Sequence, residues 1–358
     1  MYYPDQRHVA NLTIIRKVCL LPEQAIGSVR INQNARVDIH DSVAHGVIPA
    51  KYHILDALRF FKLRKPQALE SLLLVEPQSV VKEKDVLAGK KPDRGKRLFS
   101  PVNGVVVAIT DGRIILQEMP EVIDLKAGVR GRVIQVYPDR GVSIETVGAR
   151  VQGVWGNNRN AIATLRLAPD GGIESIPADS IGDRYSGVAL LTRQPITEKV
   201  LRIVEVKKLA GIIAPSMDAD LIDRALKMSA IVLLTEGFGN TRMGHVVYTL
   251  LEEFEGQQIT LDARRPDRWD ARVPEIIINI VPPENERPSR PNVMLTLREG
   301  LNARITRAPY AGLTGTIVAL PKTPILLDNG LRILCAQVEL VVGETVFVPL
   351  ANLEVLGR

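Results

Sequence analysis

A run near the end of the first quarter of the chain constrains its architecture most. It reads Val80-Val81-Lys82-Glu83-Lys84-Asp85-Val86-Leu87-Ala88, and a basic stretch separates it from Ser100-Pro101-Val102-Asn103-Gly104-Val105-Val106-Val107. Both pieces are short β runs closed by turn residues, with Gly104 where the chain must bend sharply without a Cβ. The first piece has an echo 44 residues upstream: within residues 34–44, Val37, Asp41, Val43 and Ala44 match Val81, Asp85, Leu87 and Ala88. A constant offset points to an internal duplication. Two such half-motifs could build one intertwined unit or two related ones, and the spacing leaves both open.

These runs resemble the barrel-sandwich half-motif of biotinyl and lipoyl domains, and of similar barrels in RNA polymerase large subunits and in sodium- or proton-coupled electron-transport subunits. The resemblance implies a barrel-sandwich hybrid fold for the N-terminal part. Carriers of that fold present a modifiable lysine at a hairpin tip, flanked by methionines in biotinyl domains and by an aspartate in lipoyl domains. The corresponding tip is Gly89-Lys90-Lys91-Pro92-Asp93-Arg94-Gly95-Lys96-Arg97, where the lysine position falls near Arg94. Neither Met-Lys-Met nor Asp-Lys occurs, so no cofactor is expected there.

Composition limits the class. With 358 residues, 46% of them hydrophobic, the chain can bury substantial cores, and two or three domains are expected. No apolar run approaches the roughly 18 residues of a membrane span, and the opening Met-Tyr-Tyr-Pro-Asp-Gln-Arg-His lacks the order of a signal peptide. A soluble cytoplasmic protein without membrane insertion is the expectation. Cys19 and Cys335 stand far apart in apolar contexts, which favours buried free thiols over a disulfide framework or a metal site. The formal net charge of +6 permits an acidic partner. Residues 82–97 hold seven basic groups, Lys90, Lys91, Arg94, Lys96 and Arg97 among them, against three acidic ones. Such a hairpin could grip phosphates or serve as a solvated loop.

The periodicity changes along the chain. Residues 1–148 read as the barrel-sandwich region, interrupted at about 50–74, where Ile54, Ala57, Leu58 and Phe61 carry the stripe of an amphipathic helix and Pro66 opens a second short one. Residues 149–187 read as a β extension, in which Trp155 either caps a core or offers a stacking platform. Residues 188–280 alternate apolar strands (188–192, 211–215, 230–236, 258–263) with helical stretches (198–209, 218–228, 241–255), the pattern of a small parallel α/β domain. A proline-rich charged stretch at 281–296 has the composition of a linker. Residues 297–358 return to β, and within them Gly300–Val318, with Gly312 and Gly315 at turn positions, resembles a KOW motif of the SH3-like barrels of the transcription factor NusG and several ribosomal proteins. The fold class expected is a mixed multidomain chain, mainly β, with barrel-sandwich and SH3-like barrel parts and a small parallel α/β domain.

Two sites compete for a function. The charge of the hairpin makes Lys90, Lys91, Arg94, Lys96 and Arg97 candidates for an anion or nucleic-acid surface, and the KOW resemblance adds Arg304, Arg307 and Tyr310. Alternatively the strand ends of the α/β part could hold a ligand in a crevice of Ser216, Asp218, Glu236, Gly237 and Gly239, where loop amides can cradle a phosphate. Asp218, Asp220, Glu236 and Asp262 could together hold magnesium, although Asp218 also suits a helix N-cap, and no metal site is expected. The five histidines have no serine or cysteine partner in a nucleophile motif. The expectation is a non-enzymatic modular protein without cofactor, whose partner is a nucleic acid or a protein complex of transcription or translation. The alternatives are a ligand-binding protein or enzyme using the crevice, and a docking subunit of a redox complex.

Overall fold

The computed structural model describes residues 5–91, 94–169, 172–175, 185–266, 272–291 and 295–357. The chain is mainly β, arranged in several sheets, and among the described residues every hydrogen-bonded ladder stays open. It begins with a 16-residue strand, β1 (Asp5–Leu20), followed by β2 (Ile26–Val29), β3 (Arg36–Val37), β4 (Ser42–Ile48) and β5 (Tyr52–Asp56). Two short helices, α1 (Ala57–Phe61) and α2 (Gln67–Glu70), precede β6 (Val80–Val81), β7 (Val86–Gly89), β8 (Arg97–Phe99), β9 (Gly104–Thr110) and β10 (Arg113–Glu118). Then come β11 (Glu121–Lys126), β12 (Gly131–Tyr137) and β13 (Gly141–Gln152).

These strands form two units of one plan, the second nested inside the first. In the outer unit β1, β13, β12 and β3 lie side by side in one sheet, while β4 pairs with β11 in another. In the inner unit β5, β10, β9 and β6 form the first sheet, and β7 pairs with β8 in the second. The inner unit, residues 52–118, fills the place between β4 and β11 where its own counterpart has the hairpin tip. Equivalent first halves therefore stand 44 residues apart, as the sequence echo proposes, but equivalent second halves only 27, because the insertion reverses their order.

The correspondence reaches individual hydrogen bonds. Asp41 Oδ2 accepts from Asp38 N at 2.7 Å, and Asp85 Oδ2 accepts from Lys82 N at 2.8 Å. In each case the side chain reaches back three residues and closes the turn that delivers the chain into the next strand. Ala127 N donates to Asp41 O and Ser100 N to Asp85 O; Val133 N donates to Ala35 O and Val106 N to Ser79 O. Asn34 and Gln78 both adopt positive φ, 71° and 73°. A Cβ on Gly104 would stand 2.3 Å from Gln117 O, and one on Gly131 2.3 Å from Glu145 O. Glycine is required at both because the neighbouring strand's backbone passes so close, not because the chain turns there. Each unit has its own core: Val37, Val43, Val133, Val142 and Ile144 in the outer one, Val81, Leu87, Val106, Ile114 and Leu116 in the inner.

The middle of the chain extends the outer sheet. After β14 (Trp155–Gly156) and β15 (Asn160–Leu167) come β16 (Val188–Leu191), α3 (Glu198–Val206), β17 (Gly211–Met217), α4 (Ile222–Lys227), β18 (Ile231–Phe238), α5 (His245–Glu252), β19 (Gln258–Asp262) and β20 (Glu275–Asn279). Strands β15 to β18 are parallel neighbours, while β19 and β20 run antiparallel and join them to β13. The parallel strands are apolar almost throughout, since both faces are covered. Helices α3 and α4 pack on one face through Val200, Leu201, Val204 and Ala225, and α5 on the other through Val247, Leu250 and Leu251.

The last strands are β21 (Asn302–Ile305), β22 (Thr314–Ala319), β23 (Ile325–Leu326), β24 (Arg332–Ile333), β25 (Cys335–Leu340), β26 (Thr345–Pro349) and β27 (Leu353–Gly357). The order β27-β21-β22-β25-β26 is an antiparallel meander whose final strand returns, after a one-turn 3-10 helix at Leu350–Asn352, to pair with its first. Strand β27 also pairs in parallel with the start of β1, so one hydrogen-bonded ladder runs from the terminal meander through the outer unit into the parallel strands.

Several local expectations change. The stripe read as one helix over Ile54 to Phe61 divides: Tyr52–Asp56 is a strand paired with β10, Ile54 is 63% exposed, and only Ala57–Phe61 is helical, started by Asp56 Oδ1 accepting from Arg59 N. Trp155 is buried, edge-on to Phe238 at 5.7 Å, so it closes a core instead of offering a platform. Cys19 and Cys335 are free and buried. No helix among the described residues is long and apolar enough to cross a membrane.

Candidate nucleic-acid interface

Arginines line up across the first sheet of the outer unit. Arg36 on β3 lies directly opposite Arg132 on β12, Arg132 opposite Glu145 on β13, and Glu145 opposite Arg16 on β1. Residues directly opposite share a face. Their strand neighbours Val37, Val133 and Ile144 point into the core, so the row faces outward. Arg16 approaches Glu145 at 3.6 Å and Arg130, just before β12, approaches Asp38 at 3.4 Å. Both pairs are well exposed and worth little in water. Arg132 donates from Nε to Asn34 O at 3.3 Å, and Arg36 makes no ion pair among the described residues.

The backbone below this row is held firmly. Arg130 N donates to Asn279 Oδ1 at 3.1 Å, and Arg130 O accepts from Thr146 Oγ1 and from Asn279 Nδ2. Together these residues border a shallow groove of about 430 Å³. The Asp38 carboxyl sits below its ordinary range because Ile39 N–H donates to it, with Arg130 assisting, so it stays ionised and offsets one arginine. Two arginines directly opposite each other repel, and among the described residues Arg36 has no acidic partner to offset this.

The hairpin tip expected to be basic divides in two. Lys96 Nζ donates to Phe60 O and lies 4.7 Å from the Phe60 ring, and the Arg97 guanidinium lies 5.0 Å from the Phe99 ring. Lys90, Lys91 and Arg94 are exposed. Pro92 and Asp93 lie outside the described residues.

Arg304 is corrected as a nucleic-acid contact: it is 7% exposed and bound to Glu236 and, at 3.0 Å, to Glu354. Arg307 is exposed and Tyr310 half-buried, both bordering a groove beside Phe347.

The proposed crevice at the ends of β17 and β18 is engaged by the fold itself. Ser216 is fully buried; its Oγ donates to Thr241 O at 2.9 Å and accepts from Thr241 N at 3.0 Å. Glu236, also buried, accepts from Gly244 N at 3.3 Å and lies against Arg304 and, at 3.8 Å, Arg7. The amide of Gly239 donates to Met217 O. The amides of Gly239, Thr241 and Gly244 thus already have partners, while Gly237 and Gly239 serve the turn with φ of 111° and 98°. Asp218 caps a short 3-10 helix without a side-chain bond, and Asp262 pairs with Arg264. Among the described residues no three acidic, histidine or cysteine groups converge on one point.

No protein-family model matches the chain, and no curated protein matches it. Sequence reading missed the arginine row because its members lie far apart in sequence, on four strands whose register is set by pairing. The visible signal was the 44-residue echo, which placed Arg36 beside Val37 at the head of a half-motif.

Proposed function

We propose that this protein is a non-enzymatic modular binding protein that engages a nucleic acid through the arginine row of the outer unit, assisted by Lys90, Lys91 and Arg94 at the inner unit's hairpin tip. The single observation that carries the reading is Arg36 directly opposite Arg132, with Arg16 and Arg130 beside them. Such a surface lowers its own repulsion by receiving phosphates and releasing their counterions. A place in a transcription or translation complex, and a cytoplasmic location, go with this reading.

The finer architecture we propose supports it by analogy only. The paired two-sheet units favour barrel-sandwich hybrids, and the terminal meander, with its 3-10 turn and returning strand, favours an SH3-like barrel of the KOW kind. In that barrel Gly312 has φ of 85°, and a Cβ on Gly315 would stand 2.4 Å from Glu339 O.

The test is a salt titration of duplex DNA and RNA binding by the full chain, by Arg36→Ser/Arg132→Ser, and by Lys90→Ser/Lys91→Ser/Arg94→Ser. Removing two phosphate-contacting arginines should flatten the slope of log K against log salt by about 2 for a duplex. Unchanged slopes in both variants, or no binding by the parent chain at low salt, would overturn the reading.

A further inference from the structure

A second, independent site lies farther along the shared sheet, at β15 and β16. Ile173 and helices α3 and α4 pack on one face of the parallel strands, whereas α5 after β18 crosses the other. Among the described residues no helix covers the C-terminal ends of β15 and β16, the kind of position where open α/β sheets take ligands. A cavity of about 560 Å³ opens there, within the range of small-molecule sites.

Its walls are of two kinds. Leu167, at the end of β15, and Met243 before α5 give apolar surface, and the buried Leu191 and the ring of Tyr248 of α5 lie beneath it. Arg193 lies over that ring, its guanidinium carbon 3.7 Å from the centroid, with Glu252 at 3.8 Å. Stacking holds the fork in place before any ligand arrives. Arg242 borders the same cavity and makes no ion pair among the described residues. His245 adds a ring nitrogen, its Nδ1 lying 2.9 Å from Thr249 Oγ1. The amide of the residue that caps α5, Gly244, already donates to Glu236.

We infer that this cavity binds a small organic oxyanion, a carboxylate or phosphate head on a flat apolar body. Arg193, held by Tyr248, and Arg242 take the head by charge-assisted hydrogen bonds, and Leu167 and Met243 cover the body. The head and the body are both needed: an inorganic anion leaves the apolar walls wet, and a neutral ring leaves Arg242 without a counter-charge. This inference does not depend on the arginine row, which belongs to other strands.

The test is calorimetric titration of the full chain with benzoate, phenyl phosphate, inorganic phosphate and phenol. Benzoate or phenyl phosphate should bind at least about tenfold more tightly than inorganic phosphate or phenol, and which of the two is tighter identifies the head. Arg242→Ser, an exposed change, should weaken the preferred probe about tenfold or more while the melting temperature stays put. Arg36→Ser/Arg132→Ser should leave it unchanged. Equal binding by parent and Arg242→Ser, or no binding of either aryl anion at millimolar concentration, would overturn the inference.

Discussion

At Glu236 three distant parts of the chain meet through charge. Arg7 from β1 and Arg304 from β21 both face this fully buried carboxylate, Glu354 from β27 completes the group, and Arg7 also donates to Thr235 O. Burial pushes the Arg7 guanidinium down from its ordinary pKa, and the nearby carboxylates of Glu354 and Glu236 oppose that shift. Replacing Glu236 with Gln leaves two buried cations short of one partner, a change expected to cost about 3–5 kcal/mol. Denaturant unfolding measures it; a loss under about 1 kcal/mol would show that water reaches the cluster. His8, next along β1, gives a pH dependence. Burial, then Arg150, lowers its pKa in the folded chain, so the unfolded chain binds the proton more readily. Its contribution is therefore full above the ordinary histidine value near 6.5 and declines as pH falls through that value toward the folded one. Melting curves between neutral and mildly acid pH should show a smaller acid loss in His8→Gln than in the parent.

Among elements, the nested units show how repeated short-range chemistry makes repeated structure. Asp41 and Asp85 close the same turn with the same two hydrogen bonds in separate cores. Asp41→Ala and Asp85→Ala should each cost about 1 kcal/mol, and the double variant should lose the sum within about 0.5 kcal/mol because the sites share no partner. Strong non-additivity in chemical denaturation would mean that the two turns are energetically coupled. Leu87→Ala, in the fully buried core of the inner unit, should cost about 2–5 kcal/mol. The strand–helix alternation from Val188 to Asp262 was legible because parallel strands covered on both faces read as unbroken apolar runs. Strand β5 was not, since Ile54, Ala57, Leu58 and Phe61 fit a helical period by chance and only pairing with β10 settles the matter.

For the whole molecule, the ladder through β1 outweighs segment composition. Residues 281–291 have the look of a free linker, yet their end is anchored: Ser289 O accepts from Ile14 N at 2.9 Å, and Ser289 N donates to Leu12 O at 3.1 Å, beside the bulge in β1. Glu284 and Glu286 remain exposed before that anchor. A glutamate-specific protease should therefore cut there before it cuts within 188–263, and the two fragments should still co-elute on gel filtration, because β1 holds β13 on one side and β27 on the other. Early cleavage within 188–263, or separation of the fragments without denaturant, would contradict this architecture.

The sequence by itself determined the half-motifs, their duplication, the apolar parallel strands and the basic balance, because turns, burial patterns and charge are local properties of a few residues. Tertiary structure alone decided that one unit sits inside the other, that Arg304 and Glu236 are buried as partners, and that Arg16, Arg36 and Arg132 share a face. Those facts depend on strand register between segments up to a hundred or more residues apart. A one-residue slip would turn each of those side chains to the opposite face, and no short stretch of sequence specifies which pairing wins.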